Sequence, residues 1–292
     1  MLDNNFRTAW RQLAKNKLFF FINVTGLAIG MAACLVIFRY VSFELSYDTF
    51  HQHQDCLYRV VLSDYTQGVF QEMSPSTVAG LGSVLNNTFS EDLLIVRLTP
   101  LSKTIVTYHT QETKAVKFIE ERLVYADPTF LHAFSFPLRK GNLNSVLSSP
   151  YTVIISAAIA KKYFNNQDPV GKLLSIGEGE PFRIEGVIEN MPENSHLQFD
   201  FILSYSTLGS QKDKDWSWQD TYTYLMLPTY LSPKDLETTL ATIVRQHHKE
   251  GSIDQYHLQR LTDIYLDDSI RSNVIKMGSA KTVYFLLATG IV

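Results

Sequence analysis

One uninterrupted apolar stretch, residues 18–41, constrains this chain more than any other feature of its sequence. It reads LFFFINVTGLAIGMAACLVIFRYV and carries one charged side chain, Arg39, close to its end. As an α-helix it would be about 36 Å long, enough to cross a hydrocarbon core of about 30 Å with some tilt. Because a backbone in lipid must satisfy its own hydrogen bonds, the stretch predicts a transmembrane helix.

The charges that flank this stretch predict its orientation. The charged residues before it are mostly basic: Arg7, Arg11, Lys15 and Lys17, against Asp3 alone. The first charged residues after it are acidic: Glu44, Asp48 and Asp55. The positive-inside rule therefore places the N-terminus in the cytoplasm and the remainder outside. In a bacterium this is an inner-membrane protein whose main domain is periplasmic.

Residues 1–17 predict an amphipathic helix on the cytoplasmic face of the membrane. Leu2, Phe6, Trp10 and Leu13 recur at spacings of four, four and three, which gives one apolar face. Such a helix can lie in the headgroup layer, with aromatic and basic side chains at the interface. We predict these interface residues to be Phe6, Arg7, Trp10, Arg11 and Lys15. The alternative is a basic flank without a helix, which would orient the span equally well.

Small residues inside the span predict contact with another membrane helix. Gly26, Gly30 and Cys34 repeat at intervals of four, and small residues at this spacing allow helices to approach closely. Cys34 also permits a different interpretation, a lipoprotein whose anchor cysteine follows Met31-Ala32-Ala33. Because Leu35-Val36-Ile37-Phe38 continues the apolar run beyond the cysteine, we favour an uncleaved span. A cleaved signal peptide is disfavoured by the length of the run.

The residues after the span have the composition of a globular domain, and two strand–helix–strand patterns bracket its middle. The first has strands at 57–63 and 93–98, with a helix that starts near Ser74-Pro75. The second has strands at 222–227 and 255–261, with a helix that starts at the capping-box sequence Ser232-Pro233-Lys234-Asp235. The part between them, 101–205, is mostly strand-like. We therefore predict an α+β fold: a transmembrane helix, then a domain with two βαβ-like units and a β-rich insertion.

The predicted boundaries follow from these patterns. They are 1–17 for the amphipathic helix, 18–41 for the transmembrane helix, 42–100 and 206–280 for the two bracketing halves, 101–205 for the insertion, and 281–292 for the start of a second transmembrane helix. The last segment, VYFLLATGIV from Val283 onward, is apolar but too short to span a bilayer. We interpret the sequence as a fragment of a longer membrane protein.

No motif predicts catalysis, a cofactor or a structural metal. Gly171-Lys172 lacks the first glycine of a P-loop, and the sequence has no GxSxG or HExxH. The cluster at His51, His53, Asp55 and Cys56 is interpreted as a polar juxtamembrane turn, since no second cluster completes a zinc site. Trp216 and Trp218, which lie among aspartates, suggest an exposed loop that packs one ring onto the domain; a cation or sugar site is the alternative. The net charge of −3 gives no reason to expect nucleic acid.

Several stretches together resemble one family. They are FRTAWRQLAKNKLFFFINVTGLAIGMAACLVI, FELSYDTFHQHQDCLYRV, DPTFLHAFSFPLRKGN, VIISAAIAKKYF, DPVGK and FRIEGVIENMPENSHLQFDFILS. Their order and spacing resemble the permease subunits of MacB-like or FtsX-like ABC transporters, particularly versions from Bacteroidetes. The resemblance implies a porter-like subdomain of two βαβ units at 42–100 and 206–280, interrupted by a sabre-like insertion at 101–205.

The resemblance also implies a function and partners. A separate cytoplasmic ATPase would drive movement of the permease, which is not itself an enzyme, for export or mechanotransmission. The permease would work as a homodimer or paired subunit, with a periplasmic adaptor or outer-membrane protein as a further partner. The alternatives are a membrane-anchored sensor or ligand-binding module, or a lipoprotein anchored at Cys34. A large dry pocket in the external domain would favour direct handling of a substrate, and its absence would favour coupling alone.

Overall fold

The structure is a computed structural model that describes residues 17–66, 69–89, 93–109, 115–247, 255–270 and 276–291. In these residues the α-helices are α1 (Lys17–Glu44), α2 (Ala79–Phe89), α3 (Phe130–Ala133), α4 (Ala157–Phe164), α5 (Pro233–His247) and α6 (Ala280–Ile291). The strands are β1 (Leu57–Thr66), β2 (Val69–Ser74), β3 (Leu94–Leu101), β4 (Thr104–His109), β5 (Ala115–Glu120), β6 (Leu123–Ala126), β7 (Leu138–Lys140), β8 (Thr152–Ser156), β9 (Leu173–Ile176), β10 (Phe182–Ile188), β11 (Phe201–Ser204), β12 (Tyr222–Met226) and β13 (Gln255–Arg260).

The chain divides into two compact units. Among the described residues, the first comprises 17–46 and 279–291, and the second comprises those between 47 and 278. In the first unit, α1 is long and apolar enough to cross a membrane by length and composition, with a mean hydropathy of 2.2 over its most apolar window. Its side chains are almost all exposed, as expected of a helix that meets lipid rather than a protein core. We refer to the second unit as the sheet domain.

The two predicted βαβ units interleave in one sheet. The order β13-β1-β12-β3 places each strand antiparallel to its neighbour, so that β1 and β3 run parallel on either side of β12. This is the ferredoxin-like arrangement of two split βαβ units. Helices α2 and α5 both pack on one face of the sheet, because Leu81, Leu85, Leu236 and Leu240 join one apolar cluster with strand residues such as Val60.

The start of α2 differs from the prediction. The helix begins at Ala79 rather than directly after Ser74-Pro75. Thr77 is held by a bridge to Thr221, with backbone hydrogen bonds of 2.7 and 3.2 Å, and this pairing delays the helix. The second helix begins at Pro233 as predicted, and the Asp235 N–H donates to Ser232 Oγ at 3.2 Å.

The insertion continues the same sheet. Strand β3 pairs with β6, and the order then runs β11-β8-β10-β9-β4-β5. Helix α4 packs on this part through Ile159, Tyr163 and Phe164. This region, expected to be mostly strand-like, contains β5 and β6 as two separate strands, and β11 begins only at Phe201. The mixed α+β prediction is confirmed, whereas the exact division at 101 and 205 stays a prediction.

Candidate functional site

The sheet domain begins at a left-handed turn whose side chain points into the core. Asp48 has a φ of 58° and is fully buried. Its Oδ1 accepts the Ser195 hydroxyl at 3.1 Å and the His196 backbone N–H at 3.2 Å, while its own N–H donates to the Asn194 carbonyl at 2.9 Å. Three neighbouring residues of one loop therefore hold the start of the domain. Because aspartate tolerates left-handed backbone better than most residues, the sequence can make this turn.

A second contact of Asp48 is to the side chain of His196. Asp48 Oδ2 lies 2.8 Å from His196 Nδ1, and both groups are fully buried. The two atoms are close enough for the imidazole to stabilise the carboxylate charge directly. Burial by itself raises the pKa of Asp48, but His196 and His51 outweigh it and hold that pKa well below its usual range. Asp48 is therefore a buried carboxylate at neutral pH.

A chain of buried polar side chains continues from His196. His196 Nε2 lies 2.9 Å from the Tyr224 hydroxyl, which in turn faces the Arg59 guanidinium. Arg59 donates to Gln259 Oε1 at 2.5 Å, and Gln259 donates to Asp267 at 2.8 Å. Burial lowers the pKa of Arg59, while the neighbouring tyrosines and Asp267 oppose this. The network connects the first residues of the sheet domain with β1, β12, β13 and the segment after β13.

The last residues of the sheet domain pack against its first residues and against the loop that contains His196. Tyr265 stacks on Tyr47 with ring centroids 3.3 Å apart and an interplanar angle of 3°. The Lys276 N–H donates to the His196 carbonyl at 3.2 Å, and Lys276 Nζ lies 5.3 Å from the centre of the Tyr47 ring. Gly278 then donates its N–H to the Tyr265 carbonyl at 2.7 Å. A Cβ at Gly278 would lie 2.5 Å from the Tyr265 ring, so this close approach requires glycine.

The two chain ends of the sheet domain are thus fastened to one buried site. We call this site the terminal junction and define it by the residues that hold the two ends together: Tyr47, Asp48, His51, Ser195, His196, Tyr265 and Lys276. The segments that lead away from it in sequence are α1 on one side and α6 on the other. The arrangement holds buried polar groups in fixed positions.

An open cleft lies elsewhere on the sheet domain. It has a volume of about 360 Å³ and is lined by α2, β3 and the segment after β6. At its base the Arg97 guanidinium donates to Asp127 at 2.9 and 2.8 Å and to Asp213 at 2.6 Å. Burial lowers the pKa of Arg97, but the two carboxylates outweigh it and raise that pKa above its usual range. The guanidinium is therefore already neutralised by the protein itself.

The structure places the predicted helix-packing residues on α1. Cys34 Sγ lies 3.7 Å from the Gly290 carbonyl of α6. Virtual Cβ atoms at Gly26 and Gly30 meet nothing within 4 Å, so these two glycines face open space among the described residues. Their contact with another helix stays a prediction. The predicted interface residues Phe6, Arg7, Trp10, Arg11 and Lys15 lie outside the described residues.

The residues of the His51 cluster lie in a turn, as interpreted, but one of the two histidines is buried. His53 and Asp55 are exposed, but His51 is buried and its Nδ1 accepts the Ser135 N–H at 3.0 Å. The two tryptophans lie as predicted, with one ring packed on the domain and the other exposed. The Trp216 ring stacks on His247 at 4.2 Å, while Trp218 is 71% exposed.

Sequence reasoning missed the terminal junction. Asp48 served only as a flanking charge, and the NSHLQF sequence that contains Ser195 and His196 read as part of a strand-like region. A local signal was present in the pair Asn194-Ser195, because such residues favour turns whose backbone N–H groups are free to bind a carboxylate. No local pattern pairs that turn with Asp48, since the two are distant in sequence.

The fold and the junction define a class of protein, an α+β domain whose two ends continue in sequence into apolar helices. A family model for the MacB-like periplasmic core domain matches residues 20–243. This chain therefore belongs to the MacB-like periplasmic core domain family and is a MacB-like ABC transporter permease, as its resemblance predicted. Comparison with curated proteins gave no match.

Comparison with solved structures found three similar domains, of which the first has the same fold. A domain of a protein from Porphyromonas gingivalis, described as a permease, is 21% identical, with a TM-score of 0.61 over 81% of this chain and 98% of that one. The periplasmic region of MacB from Actinobacillus actinomycetemcomitans is 15% identical, with a TM-score of 0.48 over 70% and 89% of the two chains. The extracellular domain of the noncanonical ABC-type transporter YknZ from Gram-positive bacteria is 15% identical, with a TM-score of 0.45 over 70% and 99%.

Proposed function

We propose that this chain is a permease subunit that transmits conformational change between its membrane helices and its external sheet domain, for export or mechanotransmission. ATP hydrolysis in a separate cytoplasmic ATPase supplies the energy. The observation that carries this proposal is the terminal junction. Both segments that connect the sheet domain to apolar helices are fastened at one buried point, through the Tyr47–Tyr265 stack and the Lys276–His196 hydrogen bond.

The chemistry of the junction supports transmission of movement. A close-packed interior with hydrogen-bonded polar groups resists gradual deformation and changes between discrete arrangements. Displacement of either connecting segment therefore acts on the same loop, which contains Ser195 and His196, and through Tyr224 on the central strand β12. A junction tied to only one of the two segments would not transmit relative movement of the helices in this way.

The cleft near Arg97 supports coupling over direct handling of a substrate. Most of its lining residues are polar, and its guanidinium already binds Asp127 and Asp213. A chamber for an apolar cargo would instead have an extensive apolar lining. The alternative, a membrane-anchored sensor or ligand-binding module, would place its ligand in a site such as this cleft. Among the described residues, the cleft has no buried polar group that lacks a partner and points into it.

Orientation and partners complete the proposal. The basic residues before α1 favour a cytoplasmic N-terminus. Phe6 and Trp10 would then lie at the inner membrane surface, near the ATPase. We further propose that the permease works as a homodimer or paired subunit, with an adaptor or outer-membrane protein as an additional partner.

The test is to tag the protein at its natural gene and identify what co-purifies from solubilised membranes. We expect a P-loop ATPase in an amount comparable to that of the tagged protein. The double variant Phe6→Ala/Trp10→Ala should reduce its recovery, whereas Trp218→Ala, on an exposed loop, should not. Absence of an ATPase, or a kinase or cyclase domain within the natural protein, would contradict the proposal and favour the sensor.

A further inference from the structure

His51 is a buried histidine at the terminal junction that lies in an aromatic enclosure. Its ring centroid lies 4.1 Å from that of Phe50, 5.4 Å from that of Phe134 and 5.1 Å from that of Phe136. The side chain is excluded from solvent. Such surroundings favour the neutral imidazole, since a charged ring would lose its hydration.

Hydrogen bonding fixes which nitrogen of His51 carries the proton. Nδ1 accepts the Ser135 N–H at 3.0 Å, so the ring proton of the neutral form is on Nε2. Nε2 lies 3.7 Å from Asp48 Oδ1, beyond hydrogen-bond distance. The next residue strengthens the attachment to the same partner, because the Gln52 N–H donates to Ser135 Oγ at 2.9 Å. Ser135 thus binds two consecutive residues, His51 and Gln52, at the start of the sheet domain.

The charges that face His51 come from two elements. Asp48, on the same turn, attracts a proton, while His196, on the loop that binds Asp48, opposes it. Behind His196 lie Tyr224 and the buried Arg59, a further positive charge. The segment with Phe134 and Phe136 presents the Ser135 N–H donor and no carboxylate. Burial is the largest influence, and it lowers the pKa of His51 despite the attraction of Asp48.

We propose that protonation of His51 at acidic pH opens the terminal junction locally. When Nδ1 takes up a proton, it can no longer accept the Ser135 N–H, and two donors then face each other at 3.0 Å. Residues 47–52 therefore detach from residues 134–136, while the rest of the sheet domain stays folded. The sheet domain would then respond to acidification of its compartment. The inference rests on the junction's geometry and does not require an ATPase.

The direction of the pH effect follows from linkage. An exposed histidine has a pKa of about 6.5, and in the closed junction the pKa of His51 is lower, so the open state binds more protons. The closed state is fully favoured above about pH 6.5. As the pH falls below this value, the ratio of closed to open junction falls by up to about tenfold per pH unit, until the lowered pKa is reached.

The experiment is residue-resolved hydrogen exchange on the full chain in lipid nanodiscs at about pH 7.5 and about pH 5, corrected for the intrinsic rate at each pH. The Ser135 amide reports the bond directly and needs no substitution. We expect its protection to fall by about tenfold or more at the lower pH, whereas the amides of β8 stay protected. His51→Asn places an acceptor oxygen near the position of Nδ1 and cannot be protonated there. This variant should keep Ser135 protected at both pH values.

A control separates His51 from the other histidines. His132 is exposed, and His132→Asn should behave as the wild type. Equal protection of Ser135 at both pH values in the wild type would overturn the inference. Equal loss in the wild type and in His51→Asn would also overturn it. If His51→Asn fails to fold, the test is the protection of the Ser135 amide compared with that of the β8 amides in the wild type. Loss of protection at both sites together would mean global unfolding and would refute local opening.

Discussion

Tyr47 and Tyr265 stack face to face with their ring centroids 3.3 Å apart, although they belong to the first and last parts of the sheet domain. Both rings are almost completely buried. Offset or parallel stacking of buried aromatic rings adds to the stability that comes from their area alone. The terminal junction therefore combines an aromatic stack between Tyr47 and Tyr265 with the polar contacts of Asp48.

Tyr265→Ala should loosen the junction. Truncation of a buried aromatic side chain costs about 3–5 kcal/mol of unfolding free energy. We expect a lower unfolding temperature and faster hydrogen exchange in residues 47–52. Trp218→Ala, which removes a ring that is 71% exposed, should leave both quantities nearly unchanged. Unchanged hydrogen exchange of residues 47–52 in Tyr265→Ala would show that the Tyr47–Tyr265 stack does not hold these residues in place.

Asp48→Asn should destabilise the domain without straining its backbone. Asparagine tolerates the left-handed φ of 58°, so the substitution removes the charge and little else. Removal of a buried charge from a hydrogen-bonded network costs about 3 kcal/mol. Chemical unfolding should show this decrease, whereas Asp55→Asn, at an exposed position of the same region, should change stability by less than about 0.5 kcal/mol. Equal effects of the two substitutions would refute the role of the buried carboxylate.

Gly82→Ala should disturb the base of the cleft. A Cβ at residue 82 would lie 2.5 Å from Arg97 Cδ, and Arg97 cannot move away easily because Asp127 and Asp213 hold its guanidinium. Overpacking costs about 1–3 kcal/mol, which exceeds the gain in helix propensity of about 1 kcal/mol. The thermal unfolding temperature should therefore fall. Gly179→Ala, whose Cβ meets nothing within 4 Å, is the control, and a decrease of the same size there would contradict the explanation.

Cys34 and Gly290 should be close enough to cross-link. Cys34 Sγ lies 3.7 Å from the Gly290 carbonyl, and a Cβ at Gly290 would lie 3.3 Å from Ile37 Cγ2. In a chain with Cys56 replaced by serine, Gly290→Cys should form an intramolecular cross-link to Cys34 with a short thiol reagent. Tyr284→Cys, at a residue that is 64% exposed, should not. Cross-linking of Tyr284→Cys alone would show a different pairing of α1 and α6.

Elements with local signals could be predicted from the sequence. The strand predicted at 222–227 is β12 (Tyr222–Met226), and Ser232 and Asp235 mark the start of α5 as their spacing indicated. These signals depend on neighbouring residues, whose side chains interact with the backbone a few positions away. The α+β class and the family followed from such segments taken together.

The interleaving of the strands and the terminal junction could not be predicted in this way. Placement of β12 between β1 and β3 depends on contacts across the whole domain. Asp48 and His196 are likewise brought together only by the complete fold. Before folding, Asp48 is one of several acidic residues beyond an apolar stretch, and nothing near it in sequence marks it as buried.

The central claim, that the terminal junction transmits ATP-driven movement, is tested most directly by hydrogen exchange on the purified natural complex. Exchange of residues 47–52 and 193–199 is compared with and without ATP and vanadate, which traps the ATPase after hydrolysis. The account predicts an ATP-dependent change at both segments that is lost or strongly reduced in Tyr265→Ala and retained in Trp218→Ala. Identical exchange with and without nucleotide, in a complex that hydrolyses ATP, would contradict it.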